Sequence, residues 1–362
     1  MIPLSERSKR FLLALTLLLL VVESAPLIPD EYIPRSCLLT RMHGELERWP
    51  IEEGRIVLRF KQPTKGAIAE WKASGISDEM IASNLVSIPD YGCDPVTGDV
   101  VDSIPKILRW DTSSLPSEYW ASSFREAWTY PTYDPKTKST NTSFEMKPKP
   151  IIRRKPLYRK YESTADDAPI GYLRVSSRLA SELLGFTVGG NSPDDTTALF
   201  WEEVFRSSRP VILTEGAKKA AALLSHGFIA VSIPGACRAL DVSRARDEGV
   251  ISLKADLAPL LRTPRKIFIA FDNDSSQYVR KLVATALLST AELLRDKGSD
   301  VRVITIEGQE KGIDEFISSR GKTALDALIA QSKPLAEWRK GVSGQIELRK
   351  LLRSPACAPP QN

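Results

Sequence analysis

Histidine and cysteine are scarce in this sequence of 362 residues, which has 2 histidines and 4 cysteines. No two cysteines form a CxxC pair, so a zinc ribbon or zinc finger is not expected. A Ser-His-Asp or Cys-His mechanism would have to use His43 or His226, and His226 lies in "LLSHGF", where a helix is expected to end. We therefore expect the chemistry of this chain to depend on carboxylates and cations.

A P-loop of the form GxxxxGK[ST] is also missing, which argues against a fused helicase motor. A large excess of one charge is absent as well, because the formal net charge is +5. This mild basic excess permits a polyanionic partner without requiring one. The content of 42% hydrophobic and 26% charged residues is typical of a globular protein with one large domain or two ordinary ones.

Five segments are predicted along the chain from composition and periodicity. They are an apolar N-terminal segment (1–45), a small α+β region (46–115), a basic linker rich in Pro, Ser and Thr (116–168), an α/β domain (169–340) and a disordered tail (341–362). In the α+β region, "TKGAIAEWKASGISDEMIASNLVSIPD" predicts two short helices around Ser74-Gly75, the second capped near Ser77. A packed helical hairpin is the simpler interpretation, and contact with a partner or nucleic acid is the alternative.

Short apolar strands alternate with helices from residue 169 onward. The predicted strands lie in "PVILTEG", "FIAVSIPG", "KIFIAFDND" and "DVRVITI". The predicted helices lie in "AKKAAALLSHG", "QYVRKLVATALLSTAELLRDKG", "GIDEFISSRG" and "TALDALIAQ". This alternation predicts an α/β fold with a parallel sheet and helices on both faces.

Carboxylates follow two of these strands at the point where each strand ends. Glu215 follows the first strand, and Asp272 and Asp274 follow the third. Ligands of an open α/β sheet bind at the carboxyl ends of its strands, and alternate residues of an extended segment face one side. Clustered carboxylates repel one another unless a cation lies between them, and Mg²⁺ or Mn²⁺ suits oxygen ligands. The alternative for the two aspartates is a loop start or the N-cap of the following helix.

A fourth acid, Asp314, lies in "EKGIDEFI" at the start of a predicted helix. It would join the same edge of the sheet, or simply interact with the positive end of the helix dipole.

The end of the predicted linker, "KPKPIIRRKPLYRKY", interleaves cations with two tyrosines, Tyr158 and Tyr161. Such a pattern can bind phosphates and stack on bases, although a solvated basic linker is an equally simple interpretation. The cations are Lys147, Lys149, Arg153, Arg154, Lys155, Arg159 and Lys160.

Four stretches together resemble the Toprim domain, the metal-binding domain shared by bacterial primases, topoisomerases and some nucleases. They are "VILTEGAKKAAAL", "IAVSIPGA", "IFIAFDND" and "KGIDEFI". The likeness is to Toprim-like domains of phage-borne and plasmid-borne primase and replication proteins. It covers about 169–340 well and 65–90 loosely.

The resemblance implies a role for each acid at the strand ends. Glu215 would be the general acid or base of nucleotidyl transfer or strand cleavage. Asp272 and Asp274 would hold Mg²⁺, and Asp314 matches the later acidic position of the family. Ala217 departs from the acidic residue that usually follows the glycine in this motif.

The two lysines of the same motif are Lys218 and Lys219. Both are candidates for binding phosphate or nucleic acid, and Lys218 is the better placed of the two on this reading. A solvated helix residue is the alternative for each, and for Lys219 we favour that alternative.

The resemblance favours a Mg²⁺- or Mn²⁺-dependent enzyme with primase-like nucleotidyl transfer in the replication of a plasmid or phage. Its partners would be DNA or RNA, nucleotides and a separate replicative helicase, with no stable membrane partner. The alternatives are a Toprim nuclease and a non-catalytic DNA-binding accessory protein whose acids are structural. A topoisomerase would need a nucleophilic tyrosine in a separate large domain, for which the chain leaves little room.

The N-terminal segment conflicts with this expectation. "SERSKRFLLALTLLLLVVESAP" has a basic start, an apolar run and small residues at Ser24-Ala25, which is the layout of a secretory signal peptide. The run is short for a membrane span. Because nucleotides and template lie inside the cell, we expect a cytoplasmic protein. The segment is then either a mispredicted start, with Met42 as a candidate true start, or a peripheral hydrophobic segment, and a secreted protein of unknown role is the alternative.

Overall fold

A computed structural model describes residues 63–88, 91–93, 100–102, 104–105, 108, 126–142, 145–149, 162–163, 169–241, 244–245, 248, 250–274 and 276–341. The predictions for the segment 1–45, for the tail from 342 and for Arg153, Arg154, Lys155, Arg159 and Lys160 lie outside these residues. Within the described residues, no helix is both long and apolar enough to cross a membrane. The chain divides into two units, Met1–Arg59 with Tyr91–Ser103 and Phe60–Asp90 with Ile104–Asn362.

Strands and helices are numbered here in chain order. The strands are β1 (Val86–Ile88), β2 (Tyr91–Cys93), β3 (Val100–Asp102), β4 (Glu126–Thr129), β5 (Pro131–Asp134), β6 (Ser139–Thr142), β7 (Glu145–Lys149), β8 (Glu162–Ser163), β9 (Val211–Glu215), β10 (Ala230–Ile233), β11 (Lys266–Ala270), β12 (Asp300–Val303) and β13 (Lys333–Pro334). The α-helices are α1 (Lys65–Lys72), α2 (Asp78–Asn84), α3 (Ser177–Leu184), α4 (Pro193–Arg206), α5 (Ala217–Ser225), α6 (Gln277–Asp296), α7 (Ile313–Ala330) and α8 (Leu335–Lys340). Strands β2 and β3 belong to the first unit and pair with each other in antiparallel fashion.

A five-stranded sheet with the order β10-β9-β11-β12-β13 forms the centre of the second unit. The first four strands run parallel, and β13 is antiparallel to β12. Consecutive residues of β9, β10 and β11 are buried. Because successive side chains of a strand point to opposite faces, this burial means that both faces are covered. The predicted α/β fold is confirmed, with the antiparallel edge strand as an addition.

The predicted helices also occur. Helix α5 ends at Ser225, with His226 as its C-cap, in agreement with the expected helix end. The two helices predicted after residue 312 appear as α7, which is interrupted at Gly321, where φ is 75° and ψ is −177°. Helices α3 and α4 have no counterpart in the sequence reading, although Ser176 and Ser192 give each a clear N-cap signal.

Helices α1 and α2 form the predicted helical pair, and Ser77 is the N-cap of α2 as expected. The pair packs against the α/β domain, because Trp71 and Met80 are fully buried. Hydrogen bonds join the two parts as well. The backbone N–H of Ser77 donates to Ser225 Oγ at 3.0 Å, and Ser318 Oγ donates to the carbonyl of Ala73 at 2.8 Å.

The prediction of a linker over 116–168 is wrong for residues 126–149, which contain four strands. Strand β4 pairs with β1 and β7 in an antiparallel sheet, β1-β4-β7-β8, and β5 pairs with β6. The cause is a set of aromatic side chains that bury themselves in the domain, namely Trp128, Tyr130 and Tyr133. Lys147, interpreted as part of a basic nucleic-acid patch, is buried too. The remaining segment boundaries stay predictions.

Aromatic rings hold the antiparallel part and the helices together. Tyr172 makes edge-to-face contacts with Trp201 and Phe205 of α4, with ring centroids 5.0 and 5.3 Å apart. Tyr133 of β5 lies 6.5 Å from Phe205, and its hydroxyl donates to Glu202 at 2.9 Å. Such pairs add about 0.5–1.5 kcal/mol each beyond the burial of their area. The stretch predicted as a linker is therefore part of the core.

Candidate active site

Glu215 is held at the carboxyl end of β9 by the strands on either side. The hydroxyl of the preceding residue, Thr214, donates to the carbonyl of Ala270 in β11 at 2.8 Å. The backbone N–H of the following residue, Gly216, donates to the carbonyl of Ile233 in β10 at 2.8 Å. Gly216 has φ 81°, a conformation that favours glycine and lets α5 begin at the next residue. The glutamate thus extends from a rigid base.

The carboxylate of Glu215 lies against the next strand end. The backbone N–H of Asp272 donates to Glu215 Oε1 at 3.2 Å, and a backbone hydrogen bond also comes from Ala236. Burial, followed by the negative charge of Asp272, raises the pKa of Glu215 to about 7. The side chain can therefore take up or release a proton near neutral pH, which is the property required of a general acid or base.

Asp272 is paired with Lys219. The ammonium Nζ lies 3.0 Å from Oδ1 and 3.4 Å from Oδ2 of the carboxylate, and only the Oδ2 contact has hydrogen-bond geometry. The buried Oδ1 has no hydrogen-bond partner. Burial raises the pKa of Asp272 despite the opposing effect of Lys219. Burial alone would lower the pKa of Lys219, but the charges of Asp272 and Asp314 outweigh it and the pKa is raised.

Asp314, at the start of α7, joins this edge of the sheet. Only 7% of the residue is exposed, and its Oδ2 accepts a hydrogen bond of 3.1 Å from Ser74 Oγ. A Cβ built on Gly312 would lie 2.3 Å from Lys219 Cε and 2.9 Å from Asp314 Oδ1. Gly312 therefore forms a slot in which the lysine chain passes close to the aspartate.

Asp274 makes its contacts on a more open part of the edge. Its Oδ2 lies 3.2 Å from Lys311 Nζ, and its Oδ1 accepts a hydrogen bond of 2.9 Å from the backbone N–H of Ser276. The bond from Ser276 is the largest cause that lowers the pKa of Asp274, and Lys311 adds to it. The N-cap of α6 is Ser276 rather than either aspartate.

Lys218 and Lys219 lie in different surroundings. Lys218 Nζ is 3.2 Å from Glu70 Oε1 of α1, and Lys147 of β7 binds the same oxygen. Lys219 is not the solvated helix residue that we favoured, because only 18% of its side chain is exposed and it lies among the acids. Phosphate binding by either lysine stays a prediction.

A divalent metal ion is implied by the Toprim resemblance. Within the part of the chain that the structure describes, no three His, Cys, Asp or Glu side chains are grouped so as to hold a metal. The buried Oδ1 of Asp272 nevertheless fits such an ion, because Mg²⁺ and Mn²⁺ take carboxylate oxygens and this oxygen accepts no hydrogen bond, although it forms an ion pair with Lys219. Asp272 fits this role better than Asp274, whose oxygens already accept from Ser276 and pair with Lys311.

A small, solvent-open cleft of about 170 Å³ lies beside Asp272. Asp272 and Asn273 line it next to Arg280, and its apolar wall includes Leu287 and Trp338. Mostly apolar clefts with a few polar groups, at the carboxyl ends of parallel strands, are common places for small ligands to bind. Of the acids at this edge of the sheet, Asp272 is the one that lines this cleft.

Sequence reasoning missed two contributors to this site. Ser74 lies outside the predicted α/β domain, and nothing in its local sequence signals a contact with Asp314. Glu70, which pairs with Lys218, is likewise on α1. Gly312 carried a signal, since a glycine directly before a helix that begins with acids often permits a close approach.

Comparison with known proteins gives partial matches. Residues 200–324 match a family described as a domain of unknown function, DUF3854. An uncharacterized protein of Picosynechococcus sp. (strain ATCC 27264 / PCC 7002 / PR-6) is 36% identical over 150 residues, which are 40% of this chain and 15% of that protein. The chain therefore spans only a small part of that relative's length.

Several solved primase structures are similar to this chain at low scores. The DnaG primase catalytic domain bound to ssDNA gives a TM-score of 0.44 at 17% identity over 82% of this chain and 80% of that one. The Aquifex aeolicus primase gives 0.42 at 18% over 80% and 60%, and the E. coli primase catalytic core gives 0.42 at 17% over 80% and 79%. At these values, function has to be inferred from the site residues themselves.

Proposed function

We propose that this chain is a metal-dependent nucleic-acid enzyme that carries out primase-like nucleotidyl transfer. One observation carries the proposal. Glu215, with a pKa raised to about 7, lies beside Asp272 at the carboxyl end of a parallel sheet. A perturbed acid in such a position is typical of a reactive site. The motif resemblance to Toprim domains names the chemistry that fits it.

In nucleotidyl transfer a hydroxyl group attacks the α-phosphorus of a nucleoside triphosphate, and the bond to pyrophosphate breaks. The proton of the attacking hydroxyl has to leave, and the ionised form of Glu215 accepts it. The backbone N–H of Asp272 orients the Glu215 carboxylate through the contact of 3.2 Å. Asp272 would hold a divalent metal, with Asp274 as the second ligand that the Toprim resemblance implies, and such a metal would polarise the phosphoryl oxygens.

The cleft beside Asp272 supports a nucleotide as substrate. Its apolar wall is suited to a base or ribose, and Trp338 adds an aromatic surface.

The finer parts of the proposal rest on the Toprim resemblance. They are the choice of Mg²⁺ or Mn²⁺, a role of Asp314 as a metal ligand, phosphate binding by Lys218 and Lys219, and a role in the replication of a plasmid or phage. A DNA or RNA template, a separate helicase and a cytoplasmic location belong to the same set. The basic residues from Arg153 to Lys160 would bind the template backbone.

The test incubates the full chain with Mg²⁺ or Mn²⁺, labelled single-stranded DNA and all nucleotides. We expect longer products, reduced at least about 10²-fold in Glu215→Gln and Asp272→Asn, since each removes a group at the reacting centre. Glu203→Gln is the matched control, because this α4 glutamate pairs only with Arg206 among the contacts recorded for it. Shorter products lost in both site variants would instead identify a nuclease. Unchanged DNA that stays bound would identify a binding module.

A further inference from the structure

Lys219 is a cation placed inside a cluster of acids. Its ammonium contacts Asp272 at 3.0 Å, and the charges of Asp314 and Glu215 act on it as well. Its side chain is only 18% exposed, so it does not reach freely into solvent. An ammonium group buried without such partners would be costly, and so would the acids without the ammonium.

The path of the lysine chain is built into the fold. Gly312 has an extended backbone, with φ −140° and ψ 171°, that any residue adopts, so its conformation does not require glycine. The lack of space does require glycine, because a Cβ at position 312 would lie 2.3 Å from Lys219 Cε and 3.3 Å from Lys219 Cδ. The slot at Gly312 thus keeps the ammonium against the carboxylates.

We propose that Lys219 is the resident counter-cation of this acid cluster and that it competes with a divalent metal ion for Asp272. The inference rests on the metal dependence in the proposed function. It adds that Lys219 sets how tightly the metal binds. Two cations in contact with one carboxylate repel each other in a poorly solvated site. A metal held by Asp272 would therefore be repelled by Lys219, so the lysine weakens the affinity for metal while stabilising the metal-free protein.

Lys218 provides a matched control. It is the adjacent residue of the same helix, is similarly buried and also forms an ion pair, but its partner is Glu70. Lys218→Met and Lys219→Met remove the same charge from neighbouring positions, but Glu70 keeps its ion pair with Lys147 in the first variant, whereas Asp272 loses its ion pair in the second. A general effect of net charge on metal binding would be the same in both variants.

The experiment measures Mn²⁺ binding to the full chain by calorimetry and by the electron paramagnetic resonance signal of free Mn²⁺. We expect Lys219→Met to lower the Kd for Mn²⁺ at least about tenfold, equivalent to about 1.4 kcal/mol. Lys218→Met should stay within about twofold of wild type.

Thermal unfolding gives a second readout. In EDTA, Lys219→Met should unfold at a lower temperature than wild type, and Mn²⁺ should raise its Tm by more than it raises that of wild type. If Lys219→Met does not fold without metal, Lys219→Gln and Gly312→Ala replace it. The first removes the charge and keeps a donor, and the second displaces the lysine chain.

Equal Kd values for wild type and Lys219→Met would overturn the inference, and so would weaker binding by the variant, which would make Lys219 a part of the metal site. If Lys218→Met lowered the Kd for Mn²⁺ as much as Lys219→Met does, the effect would be one of net charge only, and the inference would be overturned as well. The absence of Mn²⁺ binding in every protein would have the same result. These outcomes are separable from the proposed function: metal-dependent extension with equal Kd values refutes only the inference, whereas tighter binding by Lys219→Met with no extension by wild type refutes only the function.

Discussion

The neighbouring residues Lys218 and Lys219 of α5 lie in two different ion clusters. Cations outnumber acids around Lys218, and acids outnumber cations around Lys219. Around Lys218, two ammonium groups share one carboxylate, because Lys147 binds Glu70 as well. Burial would raise the pKa of Glu70, but the hydrogen bond from Lys147 and the charge of Lys218 outweigh it, and the pKa is lowered. This acid stays ionised, and the cluster joins α1, β7 and α5.

Around Lys219 the balance is reversed, because one ammonium group faces the carboxylates of Glu215, Asp272 and Asp314. Burial is the largest cause that raises the pKa of Glu215 to about 7, and the negative charge of Asp272 adds to it although Lys219 opposes it. The excess of cations around Glu70 thus gives an ion cluster that stabilises the fold. The excess of acids around Lys219 gives a group, Glu215, that can exchange protons.

The largest expected effect on the free energy of unfolding comes from breaking the ion cluster of Glu70, Lys147 and Lys218. Glu70→Ala leaves Lys147 and Lys218 buried without their shared carboxylate, so we expect a loss of about 3–5 kcal/mol in the free energy of unfolding. Urea unfolding at pH 7 measures it. Glu182→Ala, which removes an exposed partner of Arg178, should cost less than about 1 kcal/mol. A loss below 1 kcal/mol for Glu70→Ala would contradict the structural role of this cluster.

The second cluster should show its acid excess as a pH dependence. The pKa of Glu215 in the folded protein, about 7, lies above 4.5, the ordinary value for a glutamate side chain, so the folded protein binds the proton more tightly than the unfolded chain. In EDTA the stabilisation is therefore full below about pH 4.5 and is lost as the pH rises through 7, by up to about 3 kcal/mol. Glu215→Gln should remove this decline.

Urea titrations of both proteins from pH 5 to pH 8.5 measure this difference. The prediction concerns the difference between wild type and Glu215→Gln, so that other titrating groups cancel. Parallel pH profiles for the two proteins would show that Glu215 is ionised throughout, like Glu70.

A smaller effect is expected where the helical pair contacts the acids. Ser74→Ala removes the hydrogen bond to Asp314 Oδ2 and leaves a buried oxygen without this donor, so we expect a loss of about 1–2 kcal/mol. Ser83→Ala serves as the control, since its hydroxyl donates only to a backbone carbonyl of its own helix. Thermal unfolding of the two variants, side by side, decides whether the contact contributes.

The smallest effect is expected at the exposed end of the acid cluster. More than half of the Lys311 side chain is exposed, and its ion pair with Asp274 is screened by solvent. Lys311→Met should therefore change the free energy of unfolding by less than about 1 kcal/mol. A change as large as that of Glu70→Ala would show that Lys311, and not Lys219, is the main counter-cation of the cluster.

The sequence allowed prediction of those parts of the fold that follow from local pattern. Long apolar runs ending in acids located β9 and β11, and the position of strand ends in a parallel sheet brought Glu215 next to Asp272. The pairing of β1 with β4 could not be predicted in this way, because the strands are short and their partners lie far apart in the chain. Burial of Trp128 and Tyr133 overrode the Pro- and Thr-rich composition that is typical of a linker.

The distinction between Lys218 and Lys219 was beyond the sequence for a different reason. Adjacent residues of a helix point about 100° apart, so each meets different neighbours. Which of the two faces the acids depends on how α5 is rotated on the sheet, and that rotation is set by tertiary packing. The prediction that Lys218 is the better placed of the two lysines assumed one particular rotation of α5.

The helical pair α1–α2 closes one side of the acid cluster through Ser74 and is also tied to α5 and α7 through Ser77 and Ala73. A fragment cut at residue 169 would keep all four acids and still lose the wall that borders Asp314. The α/β part alone therefore lacks some of the residues that surround the acids. Any fusion, split or domain transplant that is meant to preserve the site has to carry the chain from Thr64 onward.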